Sequence, residues 1–256
     1  MKRFITSNPF LYTAGIVFVF LVWLLITLTQ GGIHSLVFPS PFATLAKTGE
    51  LLSNEYIYRC ILGTVGRTFQ GFLVSFALAL LLGSLVGSFK SFQTFLKPLM
   101  LVLKSAPTAI FVFLFLVISG TSMTPVWIVS FLAFPILYES VVAGFNAVPE
   151  QSLWAAHIDG SPRVKTILRI QLPLSIPYIA LGVLTSFALS FKTSIMAEII
   201  SGLTKPGLGT AIRVYRADNP VDLTPIFAVA LIAITIVLLV DLATYFVRKR
   251  FASLAN

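Results

Sequence analysis

Long apolar runs separated by short polar connections dominate the chain. Six segments, at about 10–30, 67–89, 99–119, 124–145, 175–200 and 224–247, are apolar over most of their length. A hydrocarbon core about 30 Å thick takes roughly 20 helical residues to cross. The runs lack the alternation of barrel strands, and a helix satisfies its own backbone polar groups in lipid. The pattern therefore predicts an all-α membrane fold with six transmembrane helices. Only Ser119-Gly120-Thr121-Ser122-Met123 separates the third run from the fourth, with Pro125 close behind, which predicts a tight hairpin. The connection 31–66 enters through Phe38-Pro39-Ser40-Pro41 and predicts a helix lying at the interface. The connection 201–223, with Gly202, Pro206-Gly207, Gly209 and Pro220, predicts a turn-rich loop.

Composition narrows the class. Charged residues make up 11% of the 256, against about 25% in soluble domains, and the apolar runs leave no stretch for a separate globular core. A single membrane domain over 1–256 is expected. The net charge of +9 is spread through the connections, with no stripe to track a phosphate backbone, which argues against a nucleic-acid partner. Cys60 is alone, and His34 and His157 lie far apart, so no metal site is expected. Met1-Lys2-Arg3 precedes a run, Phe10 to Leu28, too long for a signal peptide core and without a small-residue cleavage site, so it reads as an uncleaved first span.

Orientation follows from Lys and Arg. With the N-terminus inside, the inner segments hold Lys2, Arg3, Lys90, Lys97, Arg163, Lys165, Arg169, Arg248, Lys249 and Arg250 against only Glu150 and Asp159. The outer segments, with Lys47, Arg59, Arg67, Lys205, Arg213 and Arg216, are nearly balanced by Glu50, Glu55, Asp218 and Asp222. Both termini are expected in the cytoplasm.

This places the connection 149–173 on the cytoplasmic face. Pro149 and Glu150 suit a helix start, and a helix from Pro149 to Asp159 would run about 16 Å. Gly160 suits the position just beyond its end, where positive φ is often needed. Ser161-Pro162 restarts the chain as N-cap and first helical residue, and Pro173 and Pro177 mark entry to the fifth span. Trp154 offers a large anchor beside the small Ala155 and Ala156. Residue chemistry alone fits equally a docking helix or an ordinary basic loop.

The spacing A-A-x3-G-x9-I-x-L-P is filled by Ala155, Ala156, Gly160, Ile170, Leu172 and Pro173. It resembles the "EAA" loop of permease subunits of bacterial binding-protein-dependent ABC importers. Phe38-Pro39-Ser40-Pro41, Thr68 through Gly87, Lys104-Ser105-Ala106-Pro107, Ala197-Glu198, Gly207-Leu208-Gly209 and Asp241 are similar to the nitrate/sulfonate/taurine branch. The resemblance implies the MetI-like architecture of a type I importer permease: a multi-pass bacterial inner-membrane subunit paired with a second permease, most simply as a homodimer. It implies cytoplasmic ATPase subunits that carry the ATP and Mg, and an extracytoplasmic substrate-binding protein. The loop would be a coupling helix seated in the ATPase, with Ala155, Ala156 and Gly160 in close contact, flanked by Trp154, His157 and Asp159 and followed by Pro173. The family's Glu is Trp154 here, so contact would rest on shape rather than on that carboxylate.

Within the spans, Lys104, Glu139, Lys192 and Glu198 are candidates for the translocation path. A charge at a helix centre costs about 2.5–3.5 kcal/mol on insertion scales, so each favours a bundle interior or a watery cavity. Lys192 fits an internal pair with Glu139 or Glu198 and, compatibly with that, a site for an anion on the path. Gly71, Ser75, Ala79 and Gly83, spaced by four, form a stripe for close helix packing, within the chain or at a dimer seam. No G-x-x-x-x-G-K-[ST] phosphate loop occurs, so no cofactor and no catalytic residue are expected in this chain. A proton- or ion-coupled secondary transporter using Glu139, Glu198 and Asp241 is the alternative. An intramembrane enzyme is disfavoured because no His lies in a span.

Overall fold

The computed structural model describes residues 8–29, 37–88, 90–105 and 107–254. Met1-Lys2-Arg3, His34 and Ala106 lie outside them. The helices are α1 (Asn8–Leu28), α2 (Pro41–Leu52), α3 (Glu55–Ser88), α4 (Lys90–Ser105), α5 (Thr108–Asn146), α6 (Glu150–Ile158), α7 (Arg163–Thr166), α8 (Leu172–Ile200), α9 (Leu208–Asp218) and α10 (Thr224–Leu254). A π-helical turn, Ile167–Gln171, joins α7 to α8. Among the described residues, four helical stretches are long and apolar enough to cross a membrane: 55–86, 108–146, 163–200 and 224–243; Thr13–Leu28 is a shorter apolar helix.

The chain forms two compact units. In the first, residues up to Arg59 with Ala211–Ile234, the Phe38-Pro39-Ser40-Pro41 entry is pinned at each step. Trp23 Nε1 donates to the Pro39 carbonyl at 3.1 Å, and Phe38 and Trp23 both pack on Phe227. The Ser40 hydroxyl accepts from the Ala43 N–H at 3.2 Å, and Pro41 opens α2, the arrangement a capped helix start favours. At 12 residues, α2 spans about 18 Å and is too short to cross.

The second unit is Cys60–Thr210 with the residues from Thr235 onward. Its α5 breaks at Gly120, where φ is 72° and ψ 172°. An added Cβ there would meet nothing within 4 Å, so the glycine serves the backbone conformation alone. The chain folds back at this point. The rings of Phe111 and Phe131 lie 4.2 Å apart, whereas 20 residues of straight helix would separate them by about 30 Å. The hairpin expected from the sequence is present.

Other boundaries differ from the sequence pattern. The run at 99–119 is not one helix: Pro107, with no N–H to donate, ends α4 at Ser105 and starts α5 at Thr108. The second run begins earlier than 67, because α3 starts at Glu55. The turn-rich connection 201–223 contains the helix α9.

The small-residue stripe of α3 packs on the second half of α5, inside the chain. A Cβ on Gly71 would sit 2.8 Å from Val129 Cβ and run into the Val126 carbonyl, and one on Gly83 would sit 2.7 Å from Val141 Cγ1. Ser130 Oγ donates to the Gly71 carbonyl at 2.9 Å, fastening the two helices. Ala79 and Ser75 are fully buried in the same seam. On its other side α5 packs along α8 through Gly144, against Ser175, and Gly182, against Ser140. Small residues let the backbones approach where lipid supplies no hydrophobic drive.

Candidate functional site

The loop between α5 and α8 is built from one short, sharply ended helix. Pro149 holds an extended conformation at the N-cap of α6, where its missing N–H costs nothing, and Glu150 follows in the first turn. At the other end Gly160 has φ of 66°. Its N–H donates to the His157 carbonyl at 3.1 Å, and the Ser161 N–H reaches the Ala156 carbonyl at 3.0 Å. This pair of bonds is the Schellman ending, which uses a left-handed residue to satisfy the last helix carbonyls.

The faces of α6 are unequal. Trp154 is 66% and Ile158 79% exposed, and Ala156 only 5%. Ala155, His157, Asp159 and Gly160 are exposed. The two alanines therefore do not share one open face: Ala156 packs inward and Ala155 outward. Pro162, rather than Ser161, occupies the N-cap of α7.

The π turn that follows has a local cause. Pro173 lacks an N–H, and its ring would clash with the carbonyl four residues back, at Arg169. Widening the preceding turn relieves this, and the Leu172 N–H donates five residues back to Ile167. From Arg163 to Ile200 the chain is thus helical throughout, so one continuous rod runs from the loop through the span. Val164 and Leu168 are exposed on its first turns, beside exposed Arg163, Lys165 and Arg169.

The ionisable residues pair differently from the sequence expectation. Lys104 Nζ donates to both oxygens of Glu139, at 2.8 and 2.7 Å. Lys192 is exposed and pairs with neither Glu139 nor Glu198. It lines a cavity of about 480 Å³ with Lys104, Thr108, Leu132, Ile136 and Met196. Lys104 and Glu139 also line a second cavity of about 540 Å³, together with Gln93, Lys97 and Asn146. Lys104, Lys192 and Glu139 thus come together around adjacent cavities.

Glu198 lies elsewhere, fully buried. Arg67 Nε and Nη2 donate to its Oε1 at 2.9 and 2.6 Å. Thr64 Oγ1 and the Gly209 N–H donate to its Oε2 at 3.0 and 2.9 Å. Sequence reasoning read Arg67 as a charge of an outer connection and missed this pair. A usable signal was present: Thr64 and Arg67, three apart, share one helix face. No cluster of three metal-ligating side chains occurs among the described residues.

Residues 76–253 match the family described as binding-protein-dependent transport system inner membrane component. The chain belongs to that family. The permease is 30% identical over 217 residues to a probable ABC transporter permease protein of Brucella melitensis, covering 84% of each chain. It is 26% identical over 218 residues to the riboflavin transport system permease protein of Chloroflexus aurantiacus, covering 84% of this chain and 80% of that one. Its fold is similar to a crystal structure of an amino acid ABC transporter, with a TM-score of 0.64 at 17% identity over 79% of this chain and 97% of the other. The permease is thus a multi-pass membrane subunit of an importer of the binding-protein-dependent type, helical through most of its described residues.

Proposed function

We propose that the permease moves a small anionic solute, of the nitrate, sulfonate, taurine or bicarbonate class, into the cytoplasm. A separate ATPase drives it, docked on α6, and an extracytoplasmic binding protein delivers the solute. The reading places six spans in a bacterial inner membrane, with both termini cytoplasmic and two copies of the chain forming the pathway. ATP and Mg belong to the ATPase partner.

The observation that carries this reading is α6 itself. It is a short helix with Trp154 and Ile158 turned outward, fixed at its end by Gly160, and joined by the turn 159–162 to the helix that runs unbroken from Arg163 into α8. A push on α6 therefore reaches a span through one short turn closed by the hydrogen bonds at Gly160 and Ser161. The exposed Lys192, beside a 480 Å³ cavity, supports an anionic solute. Proton coupling through Glu139 and Glu198 is less well supported, since Lys104 and Arg67 hold both carboxylates.

The experiment is uptake into proteoliposomes with and without the ATPase and binding protein. ATP-dependent uptake that needs both is expected. Uptake driven by an ion gradient alone would refute the importer reading.

A further inference from the structure

The cavity of about 540 Å³ lies between α4 and the last turns of α5, and the period of α4 decides what faces it. Gln93, Lys97 and Lys104 stand at i, i+4 and i+11, one face of a helix, and all three line the cavity. Leu96, Met100 and Leu103 join the core that holds Ala133 and Leu137 of α5, so one side of α4 packs while another stays polar. Sequence reasoning counted Lys97 as a charge of an inner connection. The structure sets it in this wall, together with Asn146 of α5.

The charges of the lining are unevenly matched. Lys104 is paired with Glu139, and the pair is half-exposed, at 46% and 51%. Lys97 has no carboxylate partner among the described residues. Two lysines against one carboxylate leave the cavity with a net positive charge of one. The pair also keeps bonding capacity: Lys104 Nζ uses two of its three N–H groups on Glu139, and a carboxylate oxygen accepts more than one bond. A free cation, a free donor and a free acceptor therefore face one space, at a depth where charges favour a watery cavity. Met100, Leu101 and Val142 add an apolar stretch of wall.

We infer that this cavity is a second solute site, inward of the Lys192 cavity, and that it takes an organic monoanion. The anionic group sits at Lys97 and the free N–H of Lys104. A hydroxyl or amide on the body donates to Glu139, and the carbon body rests on Met100, Leu101 and Val142. The inference rests on the importer reading for its inward placement, and it narrows the solute of that reading by excluding nitrate and bicarbonate. Two observations separate the classes. The volume falls within the range of about 300–1,000 Å³ of pockets that enclose organic ligands, and an apolar wall adds nothing for a bare oxyanion. Glu139 repels a bare oxyanion at Lys104, whereas a donor on an organic body turns the same carboxylate into a contact.

The test uses Asn146→Cys in a Cys60→Ala background, in the permease–ATPase complex in lipid nanodiscs without binding protein, labelled with a maleimide. The probes are para-hydroxybenzenesulfonate, benzenesulfonate and nitrate at equal ionic strength. Both sulfonates should slow labelling, the hydroxylated one at about a fivefold lower concentration, the effect of one added hydrogen bond; nitrate should not. Lys97→Gln should raise the half-protecting concentration about tenfold or more, as expected for a lost charge-assisted contact, with Lys97→Arg restoring it. Glu139→Ala should abolish the preference for the hydroxylated probe while benzenesulfonate still protects, and provides a second reading if Lys97→Gln fails to accumulate. Nitrate protecting as well as the sulfonates would overturn the organic class, and equal protection by the two sulfonates would overturn the Glu139 contact. No protection, or protection indifferent to Lys97→Gln, would overturn the site. ATP-driven uptake by the same complex with binding protein in proteoliposomes decides the importer reading separately, and its failure leaves the protection result standing.

Discussion

Substitution of Gly160 separates a conformational role from a contact role. A Cβ added there meets nothing within 4 Å, so no neighbour in this chain resists a side chain. The backbone does, because φ is 66° and a residue with a Cβ pays about 1–2 kcal/mol in the left-handed region. That is about a 5–30-fold loss in the population with the native helix ending. Asn tolerates this region better than Ala, and a β-branched residue worst of all. The expected order of coupling efficiency is therefore Gly, then Asn, then Ala, then Val. The assay is ATP hydrolysed per solute taken up in proteoliposomes, with insertion and thermal unfolding measured on the same preparations. Hydrolysis should continue while uptake falls, with the amount inserted unchanged. Asn behaving as badly as Val, or Ala as well as Gly, would refute the conformational argument.

Three further outcomes are expected. Trp154→Ala should weaken ATPase association by about 2 kcal/mol, the scale of an interface hot spot, with Trp154→Phe retaining most of it, read by titrating ATPase against the reconstituted permease. Lys192→Gln should reduce uptake of an anionic solute while Lys192→Arg preserves it, with thermal stability maintained in both because neither Glu139 nor Glu198 loses a partner. Gly71→Ala should cost about 1–3 kcal/mol by overpacking against Val129, and Ser130→Ala about 1 kcal/mol from the lost bond to Gly71, both read as lowered unfolding temperature in detergent.

The features legible in the sequence are those set by local chemistry. The hairpin at Gly120 and the helix ending at Gly160 each depend on a glycine between runs of clear character, and α6 is framed by Pro149 and Pro162. Where α3 begins was not legible, because Glu55 and Arg59 look like loop charges until they are seen pairing four residues apart on a helix. Ion-pair partners were hardest. Lys104 and Glu139 are 35 positions apart, and Arg67 and Glu198 are 131 apart. Which of several lysines meets which glutamate is fixed by helix packing, not by spacing. The stripe from Gly71 to Gly83 shows the same limit: its period announces a close contact, but only Val129 and Val141 identify the partner as α5.

The π turn at Ile167–Gln171 makes the angular phase between loop and span depend on one residue. A π turn accommodates one residue more than regular α-helix would, and each residue of an α-helix advances the phase by about 100°. Winding the same five residues, Ile167–Gln171, as regular α-helix with none removed would rotate Arg163, Val164 and Lys165 by about 90° relative to Glu198. Such a change would leave both helices intact and alter only their relative orientation, whereas deleting one residue of the π turn would nearly preserve it. The π turn thus acts as an indexing element, aligning the cytoplasmic start of the rod with its far end.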